Sequence, residues 1–302
     1  MLHLVLALLA GFAQAPPPPP PPSQDATRPT CNLASKVNGP DDPLLGHLKG
    51  TTAFFCSGAF VTLKGRSKSD RGLLLTSGHC VMKGRASIFG GRLIVPAPGE
   101  VLLHVRDHRT FTVETGKAAA PRACVSADEL LYAALSGVDL AIYRLTETYE
   151  EVERRTGTGP LTVASGADVP AGVMVRVPSA LHQRSYPCVT DGTVLGLREE
   201  QWTSGPVLRL TKGCNAPHGG SGSPIVREDT NEVVAVFSTA YEADGTPCAI
   251  NNPCEIDEKG ATSVADKGRP YAHFVHQLHE CFDARGQLDL SAAGCPLPRS
   301  RD

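Results

Sequence analysis

The sequence predicts an all-β protein in two halves, on three observations. Short apolar runs of strand length recur between Gly, Pro and charged turns. The 302 residues, 41% of them hydrophobic, suffice for the cores of two small β domains or one large one. Ten cysteines, an even number, fit a disulfide framework in an oxidising compartment.

The chain opens with an apolar stretch, Leu2 to Phe12, too short to span a bilayer and suited to a signal peptide cleaved after Ala13. No membrane span is expected. Residues 14–40 hold an unbroken proline run, Pro16 to Pro22, extended at roughly 3 Å per residue, and read as a stiff spacer or a propeptide. Residues 41–156 form the expected first β domain, with strands at Phe54–Leu63, Leu73–Thr76, Arg92–Val95, Val101–Val105 and Ala141–Leu145. Ser126-Ala127-Asp128-Glu129 has the Ser-x-x-Glu form of a capping box and predicts a short helix upstream of Asp139. The charged stretch Glu147 to Thr156 is helical or irregular, ends at Gly157 to Pro160, and makes the best interdomain link. Residues 157–268 form the second β domain, with strands at Met174–Val177, Cys188–Leu197, Val207–Thr211, Pro224–Val226 and Glu232–Ser238. Residues 269–302 form a terminal helix and tail: Pro270 suits a first helical turn, and Phe274, Val275, Leu278 and Phe282 share one face.

Three segments carry chemistry. Gly219-Gly220-Ser221-Gly222-Ser223-Pro224 sets one serine among small residues, where a substrate carbonyl can approach main-chain amides. Leu73-Leu74-Leu75-Thr76-Ser77-Gly78-His79-Cys80 runs an apolar strand into a histidine beside a cysteine. Val138-Asp139-Leu140-Ala141-Ile142 opens an apolar run with an acid that needs a hydrogen-bond partner. A serine hydroxyl becomes a nucleophile when an imidazole takes its proton and an acid orients that imidazole. The order His79, Asp139, Ser221 is the base, acid, nucleophile order of one of the three known arrangements.

On these motifs, and on Cys56-Ser57-Gly58-Ala59-Phe60-Val61 before the histidine, the chain resembles the trypsin-like (chymotrypsin-fold) serine peptidases of the bacterial secreted type. Its Gly-x-Ser-Gly-Ser-Pro motif is similar to that of glutamyl-endopeptidase-like relatives. The resemblance implies two antiparallel six-stranded β-barrels and a C-terminal helix, with His79 as base, Asp139 as its orienter, and Ser221 as nucleophile. It implies an oxyanion hole from the amides of Gly219 and Ser221, and a substrate pocket involving Asn215, Phe237, Ser238 and Ala240. Gly220 stands where animal digestive members carry the aspartate that pairs with a new N-terminus, so activation by that ion pair is not expected. Phe237 stands where glutamate-specific relatives carry a histidine, and Asn215-Ala216-Pro217 offers no acid for a basic side chain. Glu242 or Asp244 could supply one from the side, and the preferred residue stays open.

The resemblance pairs Cys56 with Cys80 across the histidine loop. Cys188 with Cys214 would tie a barrel strand to the serine loop, Cys248 with Cys254 and Cys281 with Cys295 would close short loops, and Cys31 with Cys124 is left by elimination. No cofactor or metal is expected. The spacing of His273, His276 and His279 reads as helix polar positions, His104, Asp107 and His108 as solvated residues, and His218 as a surface or substrate-contacting residue. A net charge of −2 argues against nucleic acid as a main partner. The expected protein is a secreted, extracellular or periplasmic, monomeric endopeptidase acting on protein or peptide. The alternatives are an inactive protease-like binding module and an esterase on the same fold.

Overall fold

The computed structural model describes residues 45–81, 96–116, 122–166, 168–241, 245–283 and 285–300. The expected signal peptide and proline-rich segment, Cys31, the strand over 92–95, and the loop acids Glu242 and Asp244 lie outside the described residues. No helix among the described residues is long and apolar enough to cross a membrane.

A single helical turn, α1 (Leu45–Leu48), leads into β1 (Thr51–Ala53), β2 (Ser57–Thr62), β3 (Arg71–Thr76), β4 (Val101–Glu114), β5 (Arg122–Ala134) and β6 (Leu140–Thr148). These strands pair in the order β1-β4-β5-β6-β3-β2, and β1 also pairs with β2, so the antiparallel sheet returns on itself as a six-stranded barrel. The helix α2 (Tyr149–Thr156) follows. β7 (Leu161–Thr162) then adds to β2 in parallel, and the next residue, Val163, bridges to Val233 of the second half.

The second half comprises β8 (Met174–Ser179), β9 (Arg184–Val194), β10 (Gly196–Glu199), β11 (Trp202–Ser204), β12 (Val207–Leu210), β13 (Pro224–Arg227), β14 (Val233–Ala240), β15 (Cys254–Ile256), β16 (Thr262–Val264) and β17 (Pro270–Phe274). Six of them close a barrel in the order β12-β17-β14-β13-β8-β9. The remaining four form a small sheet, β11-β10-β15-β16. The fold is the two-barrel all-β architecture expected from the sequence.

Both faces of the central strands are buried, which explains their unbroken apolar runs. Side chains alternate across a strand. Leu74, Ala141, Tyr143 and Leu145 therefore point into the first barrel with Phe60, Phe111 and Val125. Leu73, Leu75, Leu140 and Ile142 point outward, against Val226, Val233 and Val236 of the second barrel and Val275, Leu278 and Leu297 of the C-terminal segment. Val175, Val177, Leu208, Ile225, Ala235 and Phe237 fill the second barrel.

Two local expectations are corrected. Residues 126–129 are not helical but lie within β5, because β4 pairs along almost its whole length and holds the segment extended. Pro270 opens β17, not a helix. The first residue of a strand can lack an N–H, and β17 pairs with both β12 and β14 to complete the barrel. The terminal helix is a six-residue 3-10 helix, His276–Cys281, which buries Leu278 and Cys281.

The capping box sits at α2. Thr148 accepts from the Glu151 N–H, and the Glu151 carboxylate accepts from the Thr148 N–H, while Gly157 ends the helix in a left-handed conformation. Replacing a capping hydroxyl costs about 1 kcal/mol. Thr148→Ala is expected to lower the urea midpoint by a corresponding amount with an unchanged m-value. No change in midpoint would show that the cap does not contribute to stability.

Candidate active site

β3 ends at Thr76, and the chain turns through a short 3-10 helix, Gly78–Cys80, that carries His79. Three contacts fix this turn. The Cys56–Cys80 disulfide joins residues 24 apart. The Ser77 hydroxyl donates to the Phe237 carbonyl of the second barrel at 2.9 Å. Gly78 lies so close to β5 that a Cβ there would meet the Ala134 carbonyl oxygen at 1.8 Å.

Asp139 sits at the entrance to β6 and is 2% exposed. Burying a carboxylate is costly unless donors surround it, and here they do. Its Oδ1 accepts from the His79 N–H at 2.9 Å, and its Oδ2 faces His79 Nδ1 at 2.7 Å and accepts from the Ser238 hydroxyl at 2.5 Å. Burial alone would raise the Asp139 pKa, but the charge and hydrogen bond of His79, with smaller effects from His273 and Ser238, hold it well below the usual carboxylate range. Burial works against a charged His79, yet the Asp139 carboxylate, helped by Glu199, holds its pKa above the ordinary histidine value. With a proton on Nδ1 directed at Asp139, Nε2 is the basic nitrogen.

Ser221 lies in the loop before β13. Gly222 has a positive φ of 82°, and a Cβ there would meet the Ser57 carbonyl oxygen at 2.0 Å, so only glycine fits against β2. The Ser57 N–H donates to the Ser221 carbonyl at 2.9 Å, and Gly222 and Phe237 bond the loop to β14. Upstream, His182 Nε2 lies 2.8 Å from the His218 carbonyl oxygen. The N–H groups of Gly219 and Ser221 donate to no carbonyl among the described residues. The Ser221 hydroxyl donates to the Ser238 carbonyl at 3.2 Å.

His79, Asp139, Ser221 and Gly219 line one cavity of about 420 Å³, together with Ser238, Thr239, Glu199, Trp202 and His218. An alcohol, an imidazole fixed on a carboxylate, and two unengaged N–H groups at one cavity are the parts that acyl transfer requires. Of the other expected pocket residues, Phe237 packs inside the second barrel, Asn215 is exposed, and Ala240 ends β14 outside the lining.

Disulfides join Cys188 to Cys214, Cys248 to Cys254 and Cys281 to Cys295, and Cys124 is disulfide-bonded. The sulfurs of Cys56 and Cys80 come near His79, but bonded to each other they offer no thiolate to a metal. His273 and His276 lie on different elements, and His279 Nε2 is 3.1 Å from the Val163 carbonyl oxygen. His104 pairs with Glu129, and Asp107 with Arg109.

Two residues near the site escape sequence reasoning. His273 is 2% exposed, and burial lowers its pKa to about 4, so it is a neutral ring beside the acid. Its segment, Pro270-Tyr271-Ala272-His273-Phe274, carries two β-favouring aromatics, Tyr271 and Phe274, which are its one local signal for a strand rather than a helix. Glu199 gives no such signal, since Arg198-Glu199-Glu200 reads as a solvated turn.

The family model of the trypsin-like peptidase domain matches residues 56–236, from the cysteine before the histidine loop to β14. No curated protein matches the sequence. Among solved structures, the MamO protease domain of Magnetospirillum magneticum is similar at 12% identity, covering 75% of this chain and 92% of its own, with a TM-score of 0.43. A Nocardiopsis protease is similar at 13% identity, covering 76% and 93%, with a TM-score of 0.40. A glutamic-acid-specific serine protease described as using a histidine triad in substrate binding is similar at 13% identity, covering 76% and 93%, with a TM-score of 0.42.

Gly78→Ala would force a methyl group into the Ala134 carbonyl. It is expected to cost about 1–3 kcal/mol of stability, the usual effect of overpacking, and to shift the NMR signals of the His79 ring. Wild-type stability with an unmoved ring signal would show that β5 does not confine the turn.

Proposed function

Because the chain belongs to the trypsin-like peptidase family, we propose that it is a secreted serine endopeptidase that cleaves peptide bonds through an acyl-enzyme on Ser221. The observation that carries this reading is the pairing of His79 Nδ1 with Asp139 Oδ2 at 2.7 Å, beside a cavity shared with Ser221. Secretion is supported by the disulfides, which persist in oxidising compartments.

In the proposed mechanism the Ser221 hydroxyl turns from the Ser238 carbonyl to His79 Nε2, a change between staggered rotamers. Its oxygen attacks the substrate carbonyl carbon while Nε2 takes the proton. The carbonyl oxygen gains charge and receives hydrogen bonds from the Gly219 and Ser221 N–H groups. As the tetrahedral centre collapses, the C–N bond breaks and His79 returns the proton to the leaving amine. Water, deprotonated by the same imidazole, then releases the acyl group and restores Ser221. Asp139 stays ionised throughout and holds the ring in the tautomer that leaves Nε2 free.

A fluorophosphonate probe tests the nucleophile. The purified, oxidised protein is expected to be labelled at Ser221 and to cleave unfolded protein substrates, and Ser221→Ala is expected to lose both. Absence of label in the wild-type protein would favour a binding module. Labelling with turnover of simple esters but not of peptides would favour an esterase.

The elevated pKa of His79 sets the pH dependence. The imidazole accepts a proton only when neutral, so kcat/KM is expected to be full at higher pH and to fall as pH drops through a midpoint above about 6.5, the ordinary histidine value. Asp139→Asn removes the main interactions that raise this midpoint and leaves burial, which lowers it, opposed only by the smaller effect of Glu199. That variant is expected to lose roughly 10⁴-fold in kcat, as for a ring left in the wrong tautomer, with the residual activity showing a lower midpoint. An unchanged acid limb would remove His79 from the role of base.

A further inference from the structure

Glu199 is a carboxylate that the proposed chemistry does not use, yet it lines the same cavity as Ser221 and His79. It ends β10, directly opposite Trp202 in the tight β10–β11 hairpin, so the two side chains are cross-strand neighbours. One of its oxygens is fixed: Oε1 accepts from the Thr239 hydroxyl and from the Asn251 N–H, each at 2.8 Å. These donors come from β14 and from the loop closed by the Cys248–Cys254 disulfide, so three separate segments hold the carboxylate in place. Oε2 has no hydrogen-bond or ion-pair partner among the described residues. The other carboxylate deep in this cavity, Asp139, is already engaged by His79 and Ser238.

A half-buried carboxylate with no ion-pair partner is in a costly position, and the nearby His79 offsets only part of that cost. Burial pushes the Glu199 pKa above the ordinary value even against its two hydrogen bonds, and a cation in the cavity would offset that cost. Leu135, Trp202 and Ile250 supply apolar wall around it. That combination suits a long methylene stem ending in a positive charge. The exposed Glu200, at the rim of the same cavity, adds negative potential on the approach.

We infer that Glu199 is a specificity-determining residue that receives a lysine or arginine side chain of the peptide bound in the cleft. The inference rests on the serine endopeptidase reading and extends it to a substrate class. The selecting acid lies outside the segments in which pocket residues were expected, 215–217 and β14, and is neither of the loop acids Glu242 and Asp244.

The test is positional scanning with the full-length oxidised protein. In a cleavable peptide, each position flanking the scissile bond is occupied in turn by lysine or arginine and by their neutral isosteres, norleucine and citrulline. At one position the charged residue is expected to raise kcat/KM by about tenfold or more over its isostere. In Glu199→Gln, whose amide oxygen can still accept from Thr239 and Asn251, that ratio is expected to fall to near unity. Glu199→Lys should invert it in favour of a glutamate. The inference is overturned if no position prefers the charged residue, or if the preference survives in Glu199→Gln. Fluorophosphonate labelling of each variant separates the two levels. Labelled enzyme without charge preference defeats the role of Glu199 alone, whereas wild-type protein that takes no label defeats the peptidase reading and this inference with it.

Discussion

The buried carboxylate of Asp139 is the constraint on which the site depends. An ionised carboxylate at this depth is tolerable only among donors, and its donors come from both barrels. His79 supplies two from the turn after β3, and Ser238 supplies one from β14. The first barrel gives each carboxylate oxygen one donor, and the second barrel adds the third. The acid's full set of donors is therefore complete only with the two barrels together, an interface that the apolar layer of Leu73, Leu75, Leu140 and Ile142 against Val226, Val233 and Val236 makes favourable.

That layer also explains which features could be read from the sequence. Leu73-Leu74-Leu75 and Leu140-Ala141-Ile142 lack the polar alternation of a half-exposed strand because one face fills a barrel and the other meets the second barrel. His79 and Asp139 stand at the ends of such runs, where polar chemistry abuts a strong apolar signal, so they are conspicuous. Ser221 is conspicuous for a related reason: its neighbour Gly222 must be glycine to pass the Ser57 carbonyl. Small residues packed around one hydroxyl are the visible trace of that close approach.

The misread segments share a different cause. Ser126-x-x-Glu129 and Pro270 carry local helix-start chemistry, but strand pairing decides both. β5 is held by β4 and β6, and β17 by β12 and β14. Such pairings join residues distant in sequence and leave no local mark. At Thr148-x-x-Glu151, where the strand pairing of β6 with β3 ends at Thr148 itself, the same capping pattern does start a helix. Glu199 was hidden for a further reason: its significance comes from Thr239 and Asn251, residues 40 and 52 positions away, which turn a charged turn residue into a fixed wall of the cavity.

Ser238 links Asp139 to Ser221. Its hydroxyl donates to Asp139 while its carbonyl accepts from the Ser221 hydroxyl, so a single residue of β14 touches both. In the proposed mechanism the nucleophile leaves that carbonyl for His79 Nε2, exchanging one hydrogen bond for another. An exchange of this kind is nearly balanced, since each bond contributes only about 1 kcal/mol net. A bound peptide that displaces water from the cavity would then tip it, because the basic Nε2 gains more from a donor once solvent is excluded. On the proposed mechanism, the serine is held in check by a carbonyl at rest and engaged by the imidazole when substrate fills the cleft.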